Sequence, residues 1–272
     1  MTGPYQLPAP RRDPWTVAVH AAPPGPRGRG ADRPLGSGIV IDRTRVLTAY
    51  SVVRERHTAG SPLWVAFPKA AVPRSERRRV AAVRAEEDGD VAVLVLAEPV
   101  PDAVLPAPLL CPDGADLVGE HWWAFGFPAA TPFGDDAYGV IAASLGYGWV
   151  RLASDEQRMA GEGFAGAGLW SPRYAAVVGV VGRTPTIGRY SGEASALTLC
   201  QAARDLPGER LHALAGWSVA DAGEAALAAW GWSLQTDAEA PRHWRPRARG
   251  GARGPEGRSR VGRRRAARGA GP

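Results

Sequence analysis

The 272-residue sequence predicts an all-β protein of two packed antiparallel barrels, and three observations carry the prediction. Short apolar and β-branched runs, of the length that suits strands, recur between residues 36 and 200 with turn-forming residues between them. Pro99, Pro101, Pro106 and Pro108 remove too many N–H donors for a central strand, so 99–108 reads as a link between two halves. Gly161, Gly163, Gly166 and Gly168 then crowd one stretch ahead of the apolar run 175–181. Glycine at that density is costly inside a helix or strand, but it suits a tight loop that approaches another backbone or a ligand closely. A hydrophobic content of 45% and ten tryptophans supply material for a sizeable core.

Taken in order, 1–14 is expected to be a disordered N-terminus and 15–206 the folded part, with barrel one over about 15–100 and barrel two over about 108–200. Residues 36–53 read as two strands joined by a turn at Asp42-Arg43-Thr44 and followed by a short helical turn over 49–53. Strands are expected at 63–67 and 79–84, separated by the proline and charge cluster 68–78, and Asp90 opens the apolar run 91–96, a buried strand by length. In the second half the aromatic run 121–128 and then 139–143 and 148–152 read as strands. After the glycine loop come strands at 175–181 and 194–199 and a short helix to 206. Residues 207–244 are expected to form a helical connector, in which Ser218-Val219-Ala220-Asp221 caps a helix over 222–230 weakened by Gly223. A disordered basic tail, 245–272, completes the chain.

Three stretches resemble the trypsin-like (chymotrypsin-fold) serine peptidases. Gly163-Phe164-Ala165-Gly166-Ala167-Gly168 is similar to their Gly-x-Ser-Gly-Gly-Pro loop, with Ala165 at the serine position. The stretch from Gly36 to Val53 is similar to their first hairpin and its Thr-Ala-Ala-His-Val-Val motif, with Ser51 at the histidine position. Asp90-Val91-Ala92-Val93-Leu94-Val95-Leu96 is similar to the strand that carries the triad aspartate, and His121 to Pro128 resembles the strand opening the second barrel. The resemblance covers about 15–206 and implies six strands in each barrel.

It also implies chemistry, most of it missing. The base of such a site must take a proton from the nucleophile and return it near neutrality, which imidazole does and a serine hydroxyl at position 51 does not. His57 lies six residues further, a rotation of about 240° in a continuing helix, and would face elsewhere. His121, among aromatics at a strand edge, reads as a packing residue. With no histidine to orient, Asp90 is expected to cap its strand or accept a hydrogen bond from Ser51. Backbone N–H groups of Gly163 and Ala165 are expected to remain as an oxyanion hole, since they need no side chain. Loss of a triad nucleophile costs about 10⁶ in kcat. Ala167 and Gly168, in place of Gly and Pro, put the loop's conformation in question as well.

The formal charge of +6 sits in the tail: residues 242–272 hold eleven Arg and one Glu, leaving 22 basic and 26 acidic groups elsewhere, a net of −4. A tail of Arg, Gly, Ala and Pro cannot bury enough apolar surface to order itself, and phosphate binding through it is the only route to nucleic acid that the composition offers. Lys69 is the single lysine, so arginine dominance marks the whole sequence and the tail does not by itself argue for nucleic acid. Cys111 and Cys200 are too few for a disulfide framework and read as small buried side chains. No metal-ligand spacing exists among the cysteines and five histidines, and no metal or other cofactor is expected. With neither a signal peptide nor a long apolar run, the chain is expected in the cytoplasm and not in a membrane.

These readings favour a degenerate peptidase, or pseudopeptidase, that binds a peptide or protein ligand in the cleft between barrels. The alternatives are an active serine endopeptidase that uses a rearranged base with Ser144 or Ser191, and an anion-binding protein that acts through its tail. Residues 228–250 resemble the connector that joins an N-terminal trypsin-like module to an NTPase and repeat region in some bacterial proteins. The tail that follows reads like frameshifted GC-rich sequence, so the chain is expected to be a truncated remnant of a larger signalling or defence protein.

Overall fold

The computed structural model describes residues 9–10, 12–24, 33–86, 89–131, 133–154, 160–161, 163–182, 194–211, 213–214, 232–235 and 243–246. Six strands, β1 (Thr16–His20), β2 (Gly36–Val40), β3 (Arg45–Ala49), β4 (Trp64–Ala66), β5 (Arg77–Arg84) and β6 (Val91–Leu96), close the first barrel in the order β1-β2-β3-β6-β5-β4. The second barrel closes as β10-β11-β12-β9-β8-β7, from β7 (His121–Gly126), β8 (Asp135–Ser144), β9 (Trp149–Ala153), β10 (Gly168–Ser171), β11 (Ala176–Val181) and β12 (Ala194–Thr198). Neighbouring strands in both barrels are antiparallel. Closure leaves neither sheet with a free edge.

Local chemistry explains the elements. At the β2–β3 turn the Asp42 carboxylate accepts the Thr44 backbone N–H at 2.8 Å and the Arg45 Nε–H at 2.6 Å, which fixes the reversal. Strand β6 is apolar throughout and sits between β3 and β5. Strand β5 begins two residues before the expected start: Arg77 and Arg78 pair with Ala66 and Val65 of β4, and their guanidinium groups donate to the Ala22 and Pro99 carbonyls. The helix α1 (Tyr50–Thr58) follows β3 and buries Tyr50, Val52 and Val53. A second helix, α2 (Leu199–Asp205), starts on Thr198, whose hydroxyl accepts the Gln201 N–H at 3.3 Å.

Two strands depart from the sequence reading. Strand β1 carries no turn signal of its own, yet all five of its residues are buried. Strand β10 lies where only loop was expected: Gly168 pairs with Val180, and a bulge between Leu169 and Trp170 lets the chain leave the glycine turn directly into the sheet. In the stretch expected as a helical connector, β13 (Trp232–Gln235) pairs antiparallel with β14 (His243–Pro246). Trp-Ser-Leu-Gln alternates apolar and polar residues with the period of a strand, which accounts for that correction. The helix expected over 222–230, the N-terminal residues before 9 and the tail beyond 246 lie outside the described residues.

The barrels are held together by contacts from both. Trp15 stacks on Trp170 with ring centroids 5.7 Å apart. Lys69 Nζ lies 3.7 Å from the centre of the Phe125 ring and 3.6 Å from Asp13. The proline-rich link touches each barrel: Ala107 N–H donates to the Val40 carbonyl, and the Pro108 carbonyl accepts the Val177 N–H. After α2 the chain returns to the first barrel, where buried Glu209 accepts from Arg45 and Arg84, both at 3.0 Å. Glu209→Ala is expected to cost about 2–4 kcal/mol, because it strands buried charge. The loss falls toward the lower end because Arg45 keeps Asp42 and Arg84 faces solvent. Urea unfolding measures it, and a change below about 0.5 kcal/mol would show the clamp to be idle.

Cys111 and Cys200 are free, half-buried thiols, and burial, followed by the nearby Cys200, pushes the Cys111 thiol up to about 11. Among the described residues no helix is long and apolar enough to cross a membrane.

Candidate functional site

The site is assembled where α1 leaves β3. Ala49 pairs with Val91 in the β3–β6 ladder, and the Tyr50 N–H donates to the Asp90 carbonyl at 2.8 Å. These bonds bring Ser51, on the first turn of α1, beside Asp90, which precedes β6. The two residues line one pocket of about 250 Å³. The first barrel supplies Ser51, Arg54, Gly89 and Asp90 to its walls, and the second supplies Trp149, Gly182 and Ser195. The second-barrel wall is fixed by the Gly182 N–H, which donates to the Ser195 carbonyl at 2.8 Å. A Cβ at Gly182 would lie 2.5 Å from the Trp149 ring, so only glycine lets the indole lie there.

Asp90 does not accept a hydrogen bond from Ser51, as the sequence suggested. Strand β9 instead brings the Trp149 indole into the same pocket, where its N–H favours the ionised carboxylate. Partial burial raises the Asp90 pKa above the ordinary carboxylate range, with the charge of Asp205 adding to the rise, while the Trp149 N–H and Arg54 oppose it. A raised folded-state pKa means that the native state holds the proton more tightly than the unfolded chain. The corresponding stabilisation is complete below the ordinary carboxylate range and is lost as pH rises through the folded value. Asp90→Asn is therefore expected to raise the melting temperature at pH 7, with the gain vanishing on acidification toward about pH 3. The gain stays under about 1 kcal/mol, since the carboxylate is largely open to solvent and screened. A variant less stable than the parent at pH 7 would contradict the assignment of charge strain to this group.

The glycine loop stands next to this pocket. Gly163 has φ of +97° and its carbonyl accepts the Phe127 N–H at 2.9 Å. Gly166, at φ +84°, donates its N–H to the Val181 carbonyl at 2.8 Å. Between them Ala165 is half-buried, and its carbonyl accepts the Ser37 N–H from β2 at 2.9 Å. A Cβ on Gly36 would lie 2.7 Å from Val52 and 2.9 Å from the Ala165 carbonyl oxygen, so the loop rests against α1 one residue beyond Ser51. Among the described residues the N–H groups of Gly163 and Ala165 donate to no protein acceptor. Two donors left free in a rigid, tightly packed loop suit an oxygen brought by a ligand.

The structure thus brings Ser51 and Asp90 into one pocket; Ala165 and Gly163 lie outside its lining, Ala165 against β2 and Gly163 against Phe127 and Pro128. Among the described residues no histidine lines the pocket. His57 is exposed further along α1 with its ring 6.1 Å from Tyr50, His121 is exposed at the start of β7, and His20 is buried in β1. Ser144 is exposed at the end of β8, outside the lining, and Ser191 lies outside the described residues. No three His, Cys, Asp or Glu side chains converge as a metal site requires, among the described residues. Arg54, Trp149, Gly182 and Ser195 were not singled out in the sequence. Trp149 and Ser195 reach the pocket through barrel closure alone, and nothing local distinguishes them from core residues.

A family model for the trypsin-like peptidase domain matches residues 36–180, and the chain belongs to that family. Among solved structures it is similar to a scabies mite inactivated protease paralogue, S-I1, at 15% identity and a TM-score of 0.57, over 75% of this chain and 97% of that one. It is also similar to neuropsin, a serine protease expressed in the limbic system of mouse brain, at 16% identity and a TM-score of 0.55, over 74% and 96%. At these identities the likeness is one of fold. No curated protein matches the sequence.

Proposed function

We propose that this trypsin-like peptidase domain does not hydrolyse peptides and instead holds a peptide or protein segment in the cleft between its barrels. One observation carries the reading: among the described residues no imidazole lines the pocket at Ser51 and Asp90, while the glycine loop presents a methyl group at Ala165 and N–H donors that meet no protein acceptor. A base and a nucleophile are both needed to transfer an acyl group, and these side chains supply neither. The binding half of the apparatus, by contrast, consists of backbone groups and a formed cleft, which survive loss of the triad side chains. That an inactivated protease paralogue has this fold supports the idea that the architecture outlasts its chemistry.

A fluorophosphonate probe tests the reading. The folded protein is expected to show no stoichiometric labelling under conditions that label an active serine peptidase fully. Labelling of any serine, Ser195 and Ser51 included, would overturn it. Selection from a displayed peptide library, with cross-linking to residues on both sides of the cleft, is expected to place the bound peptide between the barrels.

A further inference from the structure

We infer that the pocket between Ser51 and Trp149 receives a cationic side chain, arginine or lysine, of the bound peptide, with Asp90 as its counter-ion. This rests on the peptide-binding reading above and names what one part of the cleft recognises.

The argument begins with an unpaired charge. Among the described residues no cationic side chain lies within ion-pair distance of the Asp90 carboxylate, although Arg54 lines the same pocket. The Arg54 guanidinium lies instead over the Tyr50 ring, 5.0 Å from its centre, so an aromatic face on its own helix holds it. Asp205 adds a second negative charge near Asp90, and the N–H that favours the ionised carboxylate belongs to a neutral indole. A carboxylate has lone pairs for several donors, so Asp90 can accept a bidentate guanidinium or an ammonium beside the Trp149 indole.

The walls suit the same guest. Trp149 presents an aromatic surface, the best side-chain partner for a cation's flat face or methylene stem. Gly89 and Gly182 put no side chains into the space. A volume of about 250 Å³ equals roughly eight waters at ~30 Å³ each, enough for a whole arginine side chain and a remaining water. An anionic guest would meet Asp90 and Asp205, and a purely apolar one would bury the carboxylate with nothing to offset its desolvation.

Two acetylated, amidated five-residue peptides test this, Ala-Ala-Arg-Ala-Ala and the same sequence with citrulline, which keeps the shape of arginine and removes its charge. Binding is followed through the indole N–H resonance of Trp149, assigned with Trp149→Phe, and by calorimetry. The arginine peptide is expected to shift that resonance and to bind about tenfold or more tightly than the citrulline peptide. Asp90→Asn, close to isosteric, should erase the difference, and Arg54→Ala, which removes the competing cation, should widen it. Equal binding of the two peptides would remove the cation assignment and leave cleft binding standing. A preference that persists in Asp90→Asn would likewise overturn it. Absence of binding by either peptide at millimolar concentration would overturn this inference, and failure of the library selection as well would overturn the reading beneath it.

Discussion

Introducing Ser51→His and Ala165→Ser together is expected to create a slow hydrolase of activated esters, about 10²-fold above the parent, with either change alone at background. An imidazole at position 51 would enter the pocket that already contains Asp90, whose carboxylate can hold the ring in the tautomer a base requires. A hydroxyl at position 165 would sit in a loop whose N–H groups, at Gly163 and at 165 itself, are free for a developing oxyanion. Base and nucleophile act as a unit, so the single variants gain little. The gain stays at the low end of general-base catalysis because Ala167 and Gly168 are not the family's residues and the Trp149 indole shares the pocket with Asp90. Adding Trp149→Phe should therefore raise the rate again. A folded double variant that hydrolyses p-nitrophenyl acetate no faster than the parent would show that the two positions do not face a common reaction centre.

The second large effect is structural. Gly166→Ala is expected to destabilise the protein by about 3–5 kcal/mol, from backbone strain and collision together. Its φ of +84° is one that residues with a side chain rarely adopt, and a Cβ would sit 2.1 Å from the Ser37 carbonyl oxygen and 2.3 Å from Thr48 Oγ1. Those two atoms are themselves joined by a 2.6 Å hydrogen bond, so neither can yield alone. Gly60→Ala is the control: its φ is +61°, nothing lies within 4 Å, and only the strain, about 1 kcal/mol, should appear. Guanidinium unfolding separates the cases, and equal losses in the two variants would mean that the loop does not press on the first barrel.

How far the fold could be read from sequence follows from where the information sits. Strands β2, β3 and β6 were legible because each is a short apolar run closed by a turn, and the family motifs lie across them. Strand β8 begins at Asp135, earlier than expected, because Asp135-Asp136 resembles turn sequence until pairing with Gly126 and Phe125 is known. Strand β10 was hidden by Gly168, since glycine content reports conformational freedom and not the ladder that removes it. The site was half legible: Ser51, Asp90, Gly163 and Ala165 stand in stretches with a pattern, whereas Trp149, Gly182 and Ser195 are brought in by the closure of the second barrel. The approach of the Trp149 indole to Asp90 depends on a side-chain direction that no spacing encodes.

The return of the chain to the first barrel at Glu209 has a mechanical consequence. Tension applied between residues 16 and 209 would run through the first barrel, from β1 to the Arg45 and Arg84 anchorage, and bypass the second. The second barrel would stay slack until that anchorage tore, so a stretched molecule should yield in two ordered events, the first barrel before the second.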